Sequence, residues 1–265
     1  MDIEGLELDV YSDPHNGYPI TQIVCSPNLK YVATLSEFDK SVVLWSINPN
    51  QQSLQYESMI SIENIDVGSE TSTTFTVSDD GYVAIKLHRL NPRNFEIYNF
   101  KTAEISFLQV PYLHKNISHL SFINDGSLVM VSTKDHKAYV LFPEETDDSV
   151  KWIFQSLIEL KNSSTLDDIY ITPKGKLIFF KKATYEIMIW NLKTLLIEAQ
   201  ILLDWCFSFE CIGFSDDEEL IGISASSSKL TYLYIFSTTN GMNLSTRKFL
   251  PNFMTMIALF YGIRV

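Results

Sequence analysis

Ser36–Asn48, SEFDKSVVLWSIN, sets an acidic turn ahead of an alternating apolar run that closes on Trp45. A single run of this kind indicates one half-buried strand; the same unit recurring along the chain dictates an architecture. It does recur. A polar turn precedes each apolar run: SPN at Ser26–Asn28, SDDG at Ser78–Gly81, NDG at Asn124–Gly126, TPKG at Thr172–Gly175 and SDDE at Ser215–Glu218. With Asn28, Asp80, Asp125, Lys174 and Asp217 as equivalent positions, the intervals are 52, 45, 49 and 43 residues.

Other columns fall into line under the same alignment. Five residues before the marker stand Ile23, Phe75, Leu120, Ile169 and Ile212, and three before it Cys25, Val77, Phe122, Ile171 and Phe214. Three residues after it come Tyr31, Val83, Leu128, Leu177 and Leu220, followed by Val32, Ala84, Val129, Ile178 and Ile221. An aromatic closes each copy 16 to 19 residues past the marker: Trp45, Tyr98, Phe142, Trp190 and Phe236.

Each copy reads as four short strands. The first alternates apolar and polar, as in ITQIVCS (20–26), which buries one face. The second is almost continuously apolar, as in YVATL (31–35) and LIFF (177–180), which requires cover on both faces. The third carries the aromatic, and the fourth is more polar, as in VKWIFQSL (150–157), as an outer edge would be. No segment keeps helical spacing over 11 residues, and β-branched and aromatic residues dominate the apolar runs. The expected fold class is all-β, a propeller of about five full four-stranded blades plus part of a sixth. The expected blades run roughly 20–62, 71–110, 117–160, 166–204 and 209–250, in a single domain over 1–265.

The segment Asp39–Trp45, DKSVVLW, resembles the WD-repeat β-propeller family, with an Asp in the turn before strand three, a hydroxyl residue, a β-branched residue and an aliphatic-Trp ending. The resemblance implies that Asp39, Ser41 and Trp45 belong to a buried hydrogen-bond network that pins the blade. Ile187–Leu192, IMIWNL, is a second match at Trp190. Other copies depart from the pattern: Ser46 and Asn191 follow the tryptophans, no Gly-His pair opens any copy, and the turn Asp is replaced by Pro92, His136, Thr184 and Leu230. These departures imply that core packing, rather than the network, holds most blades. The 10 glycines are few for so many tight turns.

Gly5–Val10, GLELDV, falls where a fourth strand of the preceding blade belongs. Asn252–Gly262, NFMTMIALFYG, fits strand one of a sixth copy, the partial one at 253–265, with Tyr261 as marker at an interval of 44. This suggests a piece of a longer protein.

Composition narrows the function. The net charge of −12 and pI near 4.8 repel polyanions, so no nucleic-acid partner is expected. The acidic start MDIEGLELDV is unlike a secretory signal, and the longest uncharged run, Phe249–Ile263, is too short to span a bilayer as a helix; a cytoplasmic location and no membrane span are expected. Cys25, Cys206 and Cys211, an odd number without a CxxC pair, read as reduced, buried apolar groups. The H-x4-H pair His114/His119 and the C-x4-C pair are too sparse for a metal site. The acidic pairs Asp79–Asp80, Asp147–Asp148, Asp167–Asp168 and Asp216–Asp217 read as turn residues bonding their own backbone. No nucleophile elbow and no phosphate-binding glycine loop is present, so neither catalytic residue nor cofactor is expected. Tyr232 and Trp205 read as core, whereas Tyr112 and Tyr185, in loops, are candidate partner contacts.

Three functions compete on these grounds. The first is a non-catalytic scaffold for a protein or peptide partner, as the resemblance implies. The second is the amino-terminal regulatory propeller of a larger, membrane or channel-like protein. The third is a propeller hydrolase resting on carboxylates, which turn positions disfavour.

Overall fold

The computed structural model describes residues 14–48, 50, 53–62, 75–86, 95–108, 117–132, 135–145, 150–160, 168–181, 184–203, 208–226 and 230–249. After a short 3-10 turn, Pro14–Gly17, they form twenty strands in five antiparallel sheets. Sheet one holds β1 (Gln22–Cys25), β2 (Tyr31–Ser36), β3 (Ser41–Asn48) and β4 (Ser53–Ser61). Sheet two holds β5 (Phe75–Val77), β6 (Tyr82–Lys86), β7 (Phe95–Asn99) and β8 (Glu104–Phe107). Sheet three holds β9 (Ile117–Phe122), β10 (Leu128–Ser132), β11 (Lys137–Glu145) and β12 (Val150–Glu159). Sheet four holds β13 (Asp168–Ile171), β14 (Lys176–Lys181), β15 (Glu186–Asn191) and β16 (Leu196–Leu202). Sheet five holds β17 (Ser208–Phe214), β18 (Leu220–Ser226), β19 (Thr231–Ser237) and β20 (Asn243–Phe249). Every sheet is a meander, its strands neighbours in chain order.

The residues divide into two compact units: 1–115 with 120–122 and 143–153, and 116–119 with 123–142 and 154–265. The strand expected over Gly5–Val10 and the partial sixth copy over 253–265 lie outside the described residues.

Each sheet buries its apolar surface on a neighbour. In the first unit Ala33, Leu35, Val42 and Leu44 of sheet one pack on Phe75, Val77, Val83, Ile85 and Tyr98 of sheet two. In the second, Val129, Val131 and Val140 meet Ile169, Leu177 and Phe179. There too, Ile178, Phe180, Ile187 and Ile189 meet Ile221, Ile223, Tyr234 and Phe236. Consecutive residues of a second strand point to opposite faces, and β14 places Leu177 and Phe179 in one core and Ile178 and Phe180 in the other, so one sheet serves two cores. Fully burying one such aliphatic side chain stabilises by about 1.5–3 kcal/mol, which a sheet standing alone forgoes. The fourth strands are wetter: seven residues of β20 include six exposed ones.

Two columns shift. In sheets one and five the marker turn is one residue longer, closing Ser26 N–H to Tyr31 O and Ser215 N–H to Leu220 O. Sheets two to four close instead on the fourth residue, Ser78 to Tyr82, Ile123 to Ser127 and Thr172 to Lys176. The buried column therefore runs Val32, Val83, Leu128, Leu177 and Ile221, and Tyr31 and Leu220 are only half-buried. In copy three the residue paired with that column is Leu141; Phe142 falls one position beyond it and is half-buried.

Glycine scarcity has a structural counterpart. The residue after the marker is left-handed in all five copies: Gly81, Gly126 and Gly175, but also Leu29 (φ 56) and Glu218 (φ 59). The turn between strands two and three repeats this with Lys40, His136 and Tyr185 (φ 51 to 55). Each left-handed non-glycine residue costs about 1–2 kcal/mol. At the second turn it brings a return: the carbonyls of Lys40, His136 and Tyr185 accept the N–H groups of Ile62, Leu160 and Leu203, at 2.7, 2.8 and 2.9 Å. Those three apolar residues directly follow their fourth strands and are buried.

Candidate functional site

A dense polar constellation lies on sheet one, where Pro14–Gly17 folds onto it through His15, which is 1% exposed. His15 Nε2 sits 2.8 Å from Thr34 Oγ1 and Nδ1 sits 2.6 Å from Ser41 Oγ. Trp45 Nε1–H donates to Thr34 Oγ1 at 2.9 Å, and Ser41 O–H donates to Asp39 Oδ1 at 2.7 Å. Donor counting sets the tautomer. Ser41 spends its proton on Asp39, so its oxygen accepts from His15 Nδ1–H, and Nε2 in turn accepts from Thr34. Every polar group in the chain from Trp45 to Asp39 is then satisfied by a neutral imidazole.

Burial lowers the His15 pKa, and the carboxylate of Asp39, 3.8 Å from Nδ1, opposes that without reversing it. The network also holds three consecutive left-handed residues, His15 (φ 59), Asn16 (φ 50) and Gly17 (φ 77). Asn16 adds a bond from Nδ2 to Asp39 Oδ2 at 3.2 Å. Sequence reading identified Asp39, Ser41 and Trp45, and the structure brings these three together. His15 and Thr34 were missed. His15 follows a proline rather than a glycine and stands ahead of the first copy, and Thr34 sits within a run that reads as pure core.

Sheet four shows what replaces this network. Trp190 pairs with Leu177 as Trp45 pairs with Val32, which puts Phe179 in the place of Thr34. The indole N–H of Trp190 is buried and finds no hydrogen-bond partner among the described residues. Where sheet one has Ser36 opposite Ser41, sheet four has Lys181 opposite Glu186, an ion pair of 3.3 Å with both residues buried. Thr184 and Gln200 donate to the same carboxylate. The pinned hydroxyl chain is exchanged for a buried charge pair whose oxygens are satisfied.

The acidic marker turns differ from the expectation at one pair. Asp79 does not cap its own turn: it accepts from Ser26 O–H (2.8 Å), Asn28 N–H (3.1 Å) and the Asn28 amide (2.8 Å), all in the preceding copy's turn. Glu218 does the same in the second unit, accepting from Thr172 O–H at 2.5 Å and Lys174 N–H at 2.8 Å. Both carboxylates clasp the hydroxyl two before the marker and the N–H of the marker itself. A local reading misses this because the partner lies 44 to 53 residues away. Asp217 does bond its own turn, through Ser215 O–H and Glu219 N–H, and these bonds lower its pKa.

Tyr185 is half-buried at its left-handed turn position and packs against the core of sheets four and five. Tyr112, Trp205 and Cys206 lie outside the described residues. Tyr232 is half-buried, stacks on Tyr234 at 5.9 Å and has Lys248 Nζ 5.6 Å from its ring centre. Cys25, expected among buried thiols, is exposed, because β1 turns it away from sheet two. Ile23, two residues earlier on the same face, is 64% exposed rather than buried like Phe75 and Ile169 in its column. Among the described residues no group of three or more His, Cys, Asp or Glu is placed to hold a metal ion, and no helix is long and apolar enough to cross a membrane.

No family model matches the sequence, and no curated protein matches it. Solved structures do. A functionally unknown protein from Desulfotomaculum acetoxidans DSM 771 matches at TM-score 0.56 and 12% identity, over 88% of this chain and 71% of that one. KlAtg21, solved with the coiled coil of AgAtg16, matches at TM-score 0.57 and 15% identity over 88% of this chain and 71% of its own. KlHsv2 with its loop 6CD replaced by a Gly-Ser linker matches at 0.55 and 11%, over 86% and 66%. The dihydro-heme d1 dehydrogenase NirN, in complex with DHE, matches at 0.52 and 14%, over 86% of this chain and 47% of that one. At such identities the likeness concerns the fold: KlAtg21 and KlHsv2 are β-propellers, and the five four-stranded sheets described above are blades of that architecture.

Proposed function

We propose that this chain is a non-catalytic scaffold of the WD-repeat kind, binding a protein or peptide partner. The observation that carries the reading is the closed chain Trp45–Thr34–His15–Ser41–Asp39 on sheet one, which is what the DKSVVLW resemblance implies and which serves to hold a blade rather than to react. All its polar groups are spent on one another, so none is left for a substrate. KlAtg21, similar in fold, was solved with a coiled coil, which supports a protein ligand here as the same use of a propeller. Tyr185, at the tip of the β14–β15 turn, is the proposed contact residue on this side.

Affinity capture from lysate with the folded chain, followed by a quantified binding isotherm against each protein recovered, tests the proposal. A saturable partner whose affinity falls at least tenfold with Tyr185→Ala supports it. Recovery of no saturable partner, together with turnover in a substrate panel, would replace it with the enzyme reading.

A further inference from the structure

We infer that Asn16 is a site of spontaneous deamidation, and that its conversion to aspartate or isoaspartate unfastens the 3-10 turn from sheet one. Asparagine is a thermolabile residue, and a following glycine, with no side chain, leaves its backbone nitrogen open to approach the asparagine side chain. The sequence holds two such pairs, Asn16–Gly17 and Asn240–Gly241. In each, the glycine nitrogen gives its proton to solvent base and attacks Cγ of the asparagine, and the bond from Cγ to Nδ2 breaks as that nitrogen leaves as ammonia. Water then opens the five-membered imide at one carbonyl or the other, giving aspartate or isoaspartate. The net change is one water taken up for one ammonia released, and solvent supplies everything the step consumes.

The two sites differ in their surroundings and in what the product does. Gly241 donates its N–H to Ser237 O at 2.9 Å, a Cβ there would meet Gln200 O at 3.1 Å, and Asn240 Oδ1 accepts the Met242 N–H at 2.9 Å, so attacking nitrogen and target carbonyl are both held. At Gly17 a Cβ would meet nothing within 4 Å, Asn16 is exposed, and its Oδ1 has no partner among the described residues. What restrains Asn16 is the turn itself. At φ 50 and ψ 29 the backbone keeps the Gly17 nitrogen out of line with Cγ, so the imide closes from a turn released from sheet one. The bonds of His15 to Thr34 and Ser41 therefore gate the reaction. The product opposes re-closure. Asn16 Nδ2 donates to Asp39 Oδ2 at 3.2 Å, and deamidation puts a carboxylate oxygen in its place. The Asp39 side chain is 5% exposed and already accepts from the N–H and O–H of Ser41, so a second carboxylate repels it with little water between them. Isoaspartate also adds a carbon to the main chain inside the turn that Tyr18 N–H closes on His15 O at 2.8 Å. Opening permits the reaction, and the reaction favours opening. The inference stands apart from the scaffold reading and does not rest on it.

Incubation of the full chain in warm, mildly alkaline buffer, followed by peptide mapping that resolves asparagine, aspartate and isoaspartate, reads both sites in one sample. Asn16 is expected to convert faster than Asn240. Thr34→Val, which loosens the turn, speeds conversion at Asn16 by about tenfold or more and leaves Asn240 unchanged. Asn16→Asp reproduces the charge of the product: amide hydrogen exchange along β2 and β3 quickens roughly tenfold, while β14 and β15 of sheet four exchange as in the parent. Asn16→Gln keeps an amide donor but would have to close a larger, slower ring, so it stays unconverted and exchanges more slowly along β2 and β3 than Asn16→Asp does. Conversion at Asn16 no faster than at Asn240, a rate at Asn16 indifferent to Thr34→Val or matched by an equal rise at Asn240, or an Asn16→Asp chain that exchanges like the parent would each overturn the inference.

Discussion

Replacing Thr34 with Val keeps shape and volume and deletes one hydroxyl, so its cost isolates the hydrogen bonds of the sheet-one network. Thr34 is 4% exposed, and its oxygen serves both Trp45 Nε1–H at 2.9 Å and His15 Nε2 at 2.8 Å. Val orphans both groups in a site water does not reach. Each orphaned polar group costs about 1–2 kcal/mol, so the expected destabilisation is about 2–4 kcal/mol. Amide hydrogen exchange along β2 and β3 reads local opening, and this cost corresponds to exchange faster by roughly 30- to 1,000-fold. In a Trp45→Phe background one orphan is already gone, so the same substitution costs about 1 kcal/mol less. Sheet four supplies the control: Trp190 Nε1–H has no partner to lose, so Trp190→Phe costs less than Trp45→Phe by about 1 kcal/mol. Exchange in Thr34→Val within threefold of the parent, or equal costs with and without Trp45, would refute the reasoning.

Other substitutions test the remaining features. Asp79→Ala removes the acceptor of three donor groups in the preceding turn and lowers stability by about 2–3 kcal/mol, with exchange rising at the β1–β2 turn of sheet one rather than at the turn that carries Asp79. Leu29→Gly relieves a left-handed φ of 56 at a side chain 60% exposed, and raises the urea midpoint by an amount worth about 0.5–1 kcal/mol. Gly175→Ala does the reverse: φ is +89 and the new methyl meets Ile123 Cδ1 at 3.2 Å, so stability falls by about 1–3 kcal/mol in the same assay. The neutral, buried His15 makes stability pH-dependent. Its folded pKa lies below the unfolded 6.5, so its contribution is complete above that value and is lost as pH falls from 6.5 towards the lowered one. A denaturation midpoint that declines over this range in the parent and flattens in His15→Gln is the expected profile.

Much of the architecture was legible because propeller blades are built from short-range patterns. The five markers, the alternation of strand one and the apolar run of strand two follow from period two and from which faces are covered, both written in consecutive residues. Register was less legible. One extra residue in the turns at Leu29 and Glu218 shifts the buried column to Val32 and Ile221, and nothing in the apolar run signals it, because Tyr31 and Leu220 are as apolar as their neighbours. Glycine counting misled for a related reason: Lys40, His136 and Tyr185 accept left-handed strain because their carbonyls tie down Ile62, Leu160 and Leu203.

The chain's own order of residues determined that it is all β and repeated five times, and the WD-repeat resemblance singled out Asp39, Ser41 and Trp45 in its first copy. Only the tertiary structure decided that His15 and Thr34 complete a pin with them, that Asp79 and Glu218 clasp the preceding turn rather than their own, and that Ile23 and Cys25 face outward. The division has one physical cause. Local pattern reports which face of a strand is apolar, whereas the partner of a hydroxyl, a carboxylate or a whole sheet face is fixed by chain folded back from tens of residues away, at a distance no periodicity encodes.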